Sequence, residues 1–184
     1  MMVHFIDTEI SGFRAYDQVI ELGILNSNGE IIFNELITGA ESIVQGMPHR
    51  IQVDDLKNGF NPQDLERIIF DTKDALICSY GLQFDLNWIM HTSVLHDGEL
   101  SETNECRLNG ICLLEVVQSL TSKKISLDNA LKLFEIPLPK QCSNYMRHRA
   151  LYDANLHKLL FDYLYKSHPN EIIQMIRAFD IQDI

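Results

Sequence analysis

Positive charge is scarce in this chain: 15 Lys and Arg stand against 26 Asp and Glu, for a formal charge of −11. That balance argues against broad electrostatic adhesion to a nucleic-acid duplex, which rests on many Lys and Arg contacts to phosphate. It leaves room for a polyanion held mainly through bound metal. Long apolar runs are lacking too. No stretch approaches the length that spans a bilayer, and the first apolar run, Met2-Val3-His4-Phe5-Ile6, meets Asp7 too soon to form a signal-peptide core. A cytoplasmic protein without a membrane partner is expected. The four cysteines, Cys78, Cys106, Cys112 and Cys142, show neither C-x-x-C spacing nor a neighbouring His pattern. This argues against a zinc site or a redox dithiol and points to reduced, mostly buried thiols. Internal repeats and low-complexity segments are absent.

What is present is ordinary globular material. With 46% hydrophobic and 22% charged residues over 184 positions, the chain suits one domain with a full core. Strands are expected over the first apolar run, over Val19–Asn26 and over 31–37, the last two joined at Asn28-Gly29, a strong hairpin signal. Residues 38–59 read as a connection with a short helix near 53–57. Asn61-Pro62 is a helix start, 75–80 a buried strand, and Gly81 turns that strand into a helix reaching about His96. Residues 108–112 suggest another strand, followed by helices through Leu114, Val117 and Leu120 and, capped by Ser126, through Leu127, Ala130, Leu131 and Phe134. The run 148–155 leads into a helical apolar pattern of Leu156, Leu159, Leu160, Tyr163 and Leu164. In the tail, Ile172, Ile173, Ile176 and Phe179 at helical spacing after Pro169 predict a C-terminal helix over 167–184 packed on the domain formed by 1–166.

The residues with chemical promise are acids. In an extended strand Asp7 and Glu9 leave by one face while Thr8 points the other way. Two carboxylates held that close repel unless a cation lies between them or one stays protonated, and hard divalent ions prefer such oxygen ligands. A lone Asp-x-Glu is better read as a solvated strand end, so the metal reading rests on partners further along the chain. Asp85 falls near a helix N-terminus, where unpaired amides favour a carboxylate whether or not it has a function. His148 and Asp153, five apart, can meet at one site only if His148 sits at or before the start of the helix.

Taken together, Asp7-Thr8-Glu9, Phe84-Asp85, and His148 with Asp153 resemble, in order, the three exonuclease motifs of the DEDDh family. The chain looks like a DnaQ-like 3′-5′ exonuclease over about residues 2 to 165. Glu21-Leu22-Gly23, Ser126-Leu127 and the run His148-Arg149-Ala150-Leu151-Tyr152-Asp153-Ala154 add to the likeness. Tyr80-Gly81 stands where many members have His-Asn, and Ile111-Cys112 where many have Asp-Thr. The resemblance implies an RNase H-like α/β fold, a five-stranded mixed sheet flanked by helices. It also implies two Mg2+ or Mn2+ ions, with Asp7, Glu9 and Asp153 on one, Asp7 bridging to a second that Asp85 helps position, and His148 as general base. Thr8, Arg14, Phe84, Lys140, Arg147 and Arg149 are candidates for substrate contact. The partner implied is nucleic acid with a free 3′ end, single-stranded DNA foremost. A polymerase or another replication or repair protein is a further partner to consider. RNA oligomers as substrate, or a catalytically silent binding domain, are the alternatives.

Overall fold

Three strands open the chain: β1 (Val3–Ile10), β2 (Val19–Asn26) and β3 (Ile31–Leu36). Further along come β4 (Leu76–Ser79), β5 (Arg107–Cys112) and β6 (Arg177–Asp180). They form one six-stranded sheet in the order β3-β2-β1-β4-β5-β6 in this computed structural model, which describes residues 2–98, 107–139 and 147–180. β1 pairs antiparallel with β2 and parallel with β4, and β4 parallel with β5, while β3 and β6 run antiparallel at the two edges. The sheet is mixed, as expected, but has six strands where five were expected.

The sixth strand comes from the tail. A helix starts at Pro169 but stops at Gln174, and the chain then extends along β5 so that Phe179 is buried beside Leu108. Helical spacing alone did not anticipate this. An open β5 edge offers a row of unpaired backbone groups, and pairing them outweighs the weak propensity of one further helical turn.

Helices cover both faces. Helices α1 (Leu65–Phe70) and α2 (Leu82–Asp97) pack on one, while α3 (Leu113–Thr121), α4 (Leu127–Leu133), α5 (Ala150–Ser167) and α6 (Pro169–Gln174) pack on the other. β1 shows how the sequence sorts the two. Val3 and Phe5 enter the core with α5, Ile6 and Ile10 the core with α1 and α2, so the alternation sends Asp7 and Glu9 toward α5 and Thr8 toward α2. The strand runs on to Ile10, beyond the apolar run, because β2 pairs with it up to an irregularity at Glu9/Ile10. The acids therefore lie within a strand that is hydrogen-bonded on one side as far as Ile10.

Smaller features follow the sequence closely. Gly29 takes φ 83° and donates its N–H to the Asn26 carbonyl at 2.9 Å, closing the β2–β3 hairpin. A short 3-10 helix occupies Val53–Asn58. The Asn61 side chain accepts from the Gln63 amide ahead of α1, and the Ser126 hydroxyl accepts from the Asn129 amide ahead of α4. Cys78 and Cys112 are buried free thiols. Lys140, Cys106 and Cys142 lie outside the described residues. Among the described residues no helix is long and apolar enough to cross a membrane.

Candidate active site

Three chain segments meet past the middle of β1. One is the strand itself, which presents Asp7 and Glu9. The second is the start of α2, whose first turn carries Asp85, and the third is the turn ahead of α5, with His148 outside the helix and Asp153 in its first turn. Ligand sites in open α/β sheets favour the carboxyl ends of parallel strands, and β1 and β4 run parallel here. Ligand atoms of Glu9, His148 and Asp153 all lie within 4.8 Å of one another. His148 can take part because α5 begins at Ala150, which leaves the histidine on the loop side of the helix start. Asp7 and Asp85 are not within that spacing, but Asp7 feels the charges of Asp85, Asp153 and Glu9.

Electrostatics mark the cluster as crowded. Burial, then the charges of Asp85, Asp153 and Glu9, push the Asp7 carboxyl well above its ordinary range, with Arg147 pulling the other way. Glu9 is pushed up to about 8 by burial, followed by Asp153, Glu21 and Asp85. Asp85 rises to about 6 through burial despite three donors: the Thr8 hydroxyl at 2.7 Å and Thr8 amide at 3.2 Å on Oδ1, and the Ser79 hydroxyl at 2.6 Å on Oδ2. Burial also raises Asp153, against the pull of Arg147.

Arg14, Arg147 and Arg149, the described cations among the candidates for substrate contact, are committed to partners. Arg147 donates from Nε and Nη2 to Asp128 Oδ1 at 3.2 and 2.8 Å, and from Nη1 to Asp153. The Arg149 Nε donates to both carboxylate oxygens of Glu21 at 3.0 Å. Arg14 holds Asp17 through Nε and Nη2 at 2.9 and 2.8 Å and stacks over the Tyr16 ring, so it ties down the loop after β1. Thr8 spends its donors on Asp85. Phe84, 44% exposed, forms an aromatic cluster with Phe13, which is 72% exposed, and Trp88.

Some contributors were not singled out from the sequence. His157 sits one helical turn beyond Asp153, a spacing that puts both on one face of α5 and could have marked it. Its Nδ1 donates to the Ile6 carbonyl at 2.9 Å, and its Nε2 lies 3.7 Å from Asp7 Oδ1. Burial holds this imidazole down to about 4, so it is neutral at pH 7. Glu21 was noted as part of a motif without a task, and Asp128 was not noted. Both act across long sequence separations that no local pattern reveals. Tyr80, at the position that departs from the family pattern, donates its hydroxyl to the Ile125 carbonyl at 2.7 Å and so steadies the approach to α4.

With this geometry in view, solved structures identify the class of fold. No family model matches the chain, and no curated protein matches it by sequence. Its fold is that of S. pombe Pop2p, solved with Mg2+ and Mn2+ bound, at TM-score 0.69 and 13% identity over 95% of this chain and 87% of that one. Exonuclease X in complex with 5′ overhanging duplex DNA is similar at TM-score 0.67 and 18% identity, over 94% and 96% of the two chains. A 3′-exonuclease that recognises the 3′ end of a histone mRNA stem-loop matches at TM-score 0.66 and 12% identity, over 91% and 64%. The fold, a mixed sheet flanked by helices, is thus the RNase H-like fold of exonucleases.

Proposed function

We propose that the chain is a divalent-metal-dependent 3′-5′ exonuclease, hydrolysing phosphodiester bonds from the free 3′ end of nucleic acid, with single-stranded DNA the foremost substrate and short RNA the alternative. The observation that carries this reading is the convergence of Asp7, Glu9, Asp85 and Asp153 with His148 on a fold shared with exonucleases. The donor set suits hard divalent cations: carboxylate oxygens, crowded enough to raise one another, with the guanidinium of Arg147 set against them. Asp7, Glu9 and Asp153 would hold one Mg2+ or Mn2+, and Asp7 would share a second whose place Asp85 helps define. Bound there, such ions supply positive charge against the scissile phosphate and the leaving 3′ oxygen and acidify the attacking water.

The remaining tasks belong to side chains. His148, partly exposed at the edge of the cluster with ligand atoms of Glu9 and Asp153 within 4.8 Å, is the general base. Thr8 and Ser79 keep the Asp85 carboxylate oriented. Phe84, with Phe13 and Trp88 beside it, offers exposed ring faces on which unpaired bases stack, worth about 1–3 kcal/mol per base. This suits an acidic chain that must hold its substrate locally and not by long-range attraction.

Mn2+ titration calorimetry on wild type and Asp7→Asn, run beside hydrolysis of a labelled oligonucleotide, tests the reading. Binding and hydrolysis are expected in the wild type and neither in the variant, because a neutral amide does not replace the shared charge. Full hydrolysis by Asp7→Asn, or by the wild type in excess EDTA, sinks the metal mechanism. Metal binding without nucleotide release would favour the silent binding domain.

A further inference from the structure

His148 has φ 62°, a left-handed conformation that a residue with a Cβ adopts at a cost, so the surrounding structure must hold it there. The residues on either side are fastened to two different elements. Behind it, the Arg149 Nε donates to both oxygens of Glu21 on β2 at 3.0 Å. Glu21 Oε2 also accepts the Ala150 amide at 2.9 Å, the first amide of α5, which no side chain of its own helix caps. Ahead of it, Arg147 Nη2 donates to Asp128 Oδ1 on α4 at 2.8 Å, while Nη1 reaches Asp153. Gly23 lets β2 come this close: a Cβ there would stand 2.3 Å from the Leu151 nitrogen. The strained histidine therefore hangs between two anchored arginines, with its ring delivered to Glu9 and Asp153.

We propose that Glu21 and Asp128 are positioning residues for His148, acting through Arg149 and Arg147. The inference rests on the exonuclease reading, in which His148 takes the proton of the attacking water. It gives the two arginines a task other than gripping phosphate, and the two tasks differ in what they predict. If Arg149 grips phosphate, freeing it by removing Glu21 should lower KM. If Arg149 is a tether, removing Arg149 should lower turnover, removing Glu21, which also frees the Ala150 amide, should lower it at least as much, and doing both should add little to the loss of Glu21 alone.

Asp128→Ala is the cleaner variant, because the Asp128 side chain is 49% exposed and its loss spares the core. Asp128→Ala, Glu21→Ala, Arg149→Ala and the double Glu21→Ala/Arg149→Ala are each assayed on a labelled single strand with saturating Mn2+. Amide hydrogen exchange over residues 148–150 is measured on the same proteins without metal. Each single variant is expected to lose about 10- to 100-fold in kcat, the scale of a misplaced catalytic group, with KM and its salt dependence unchanged. The double variant should match the worse single, Asp128→Glu should recover most of the loss, and exchange at Ala150 should quicken in Glu21→Ala. A raised KM with kcat preserved in Arg149→Ala, or unchanged exchange throughout, overturns the proposal. Should the wild type hydrolyse nothing, the exonuclease reading falls, and the exchange data alone decide whether Glu21 and Asp128 order this turn.

Discussion

Asp7 is set against three further carboxylates, Glu9, Asp85 and Asp153, and burial makes their repulsion costlier than it would be in water. Without metal, Asp7→Asn should therefore leave the fold intact and raise Tm by about 2–4 °C for each kcal/mol of repulsion relieved, as read by thermal denaturation in EDTA. A fall in Tm would show that the aspartate is structural. Glu9, raised alongside Asp7, contributes to the pH dependence. Its folded value of about 8 lies above the ordinary 4.5, so between those values the folded state binds more protons than the unfolded state, and stability declines as pH rises. His157 has the opposite sign, since its folded value of about 4 lies below the ordinary 6.5 and its effect is complete above 6.5. Between pH 6.5 and 8 the carboxylate effect is left, up to about 1.4 kcal/mol per pH unit for one group. Melts in EDTA should show Tm falling across that window, and Mg2+ should remove the slope. His148→Ala should lower kcat about 100- to 10,000-fold with KM little changed, because its proposed part is proton transfer.

The elements hold these residues by contacts of different range, and this decides what a sequence reader can see. Gly23→Ala should cost about 1–3 kcal/mol or more in urea denaturation, since the added methyl meets the backbone at the start of α5 and neither strand nor helix yields cheaply. A neutral substitution would mean that β2 and α5 are less closely packed than they stand here. Phe179→Ala should cost about 3–5 kcal/mol, because the ring is buried at the edge where β6 covers β5. The period-2 alternation of β1 was legible and put Asp7 and Glu9 on one face, and the five-residue spacing of His148 and Asp153 correctly required the histidine to precede the helix. The β6 strand was not legible. Ile172, Ile173, Ile176 and Phe179 fit a helix, and only the open edge of β5, created by residues some seventy positions earlier, converts the last of them to extended chain. The same holds for Arg149, which looks like a free cation beside His148 until Glu21, 128 residues away, is brought against it.

At the scale of the whole molecule, a chain at −11 has few cations to spare, and three of those near the candidate site, Arg14, Arg147 and Arg149, are already paired with carboxylates. On the proposed reading, the exposed aromatic cluster of Phe13, Phe84 and Trp88 would supply local grip instead. Single strands or frayed ends should accordingly be cut faster than blunt duplex, with a salt dependence shallower than that of a protein gripping a long phosphate backbone. End-directed 3′-5′ hydrolysis is tested most directly by the order in which products appear from a 5′-labelled single strand with a free 3′ hydroxyl, incubated with Mg2+ or Mn2+ beside a circular control of the same sequence. A ladder shortening one nucleotide at a time from the 3′ end, absent in EDTA and absent from the circle, is the predicted result. Early release of the labelled 5′ nucleotide, or equal degradation of the circle, would contradict it.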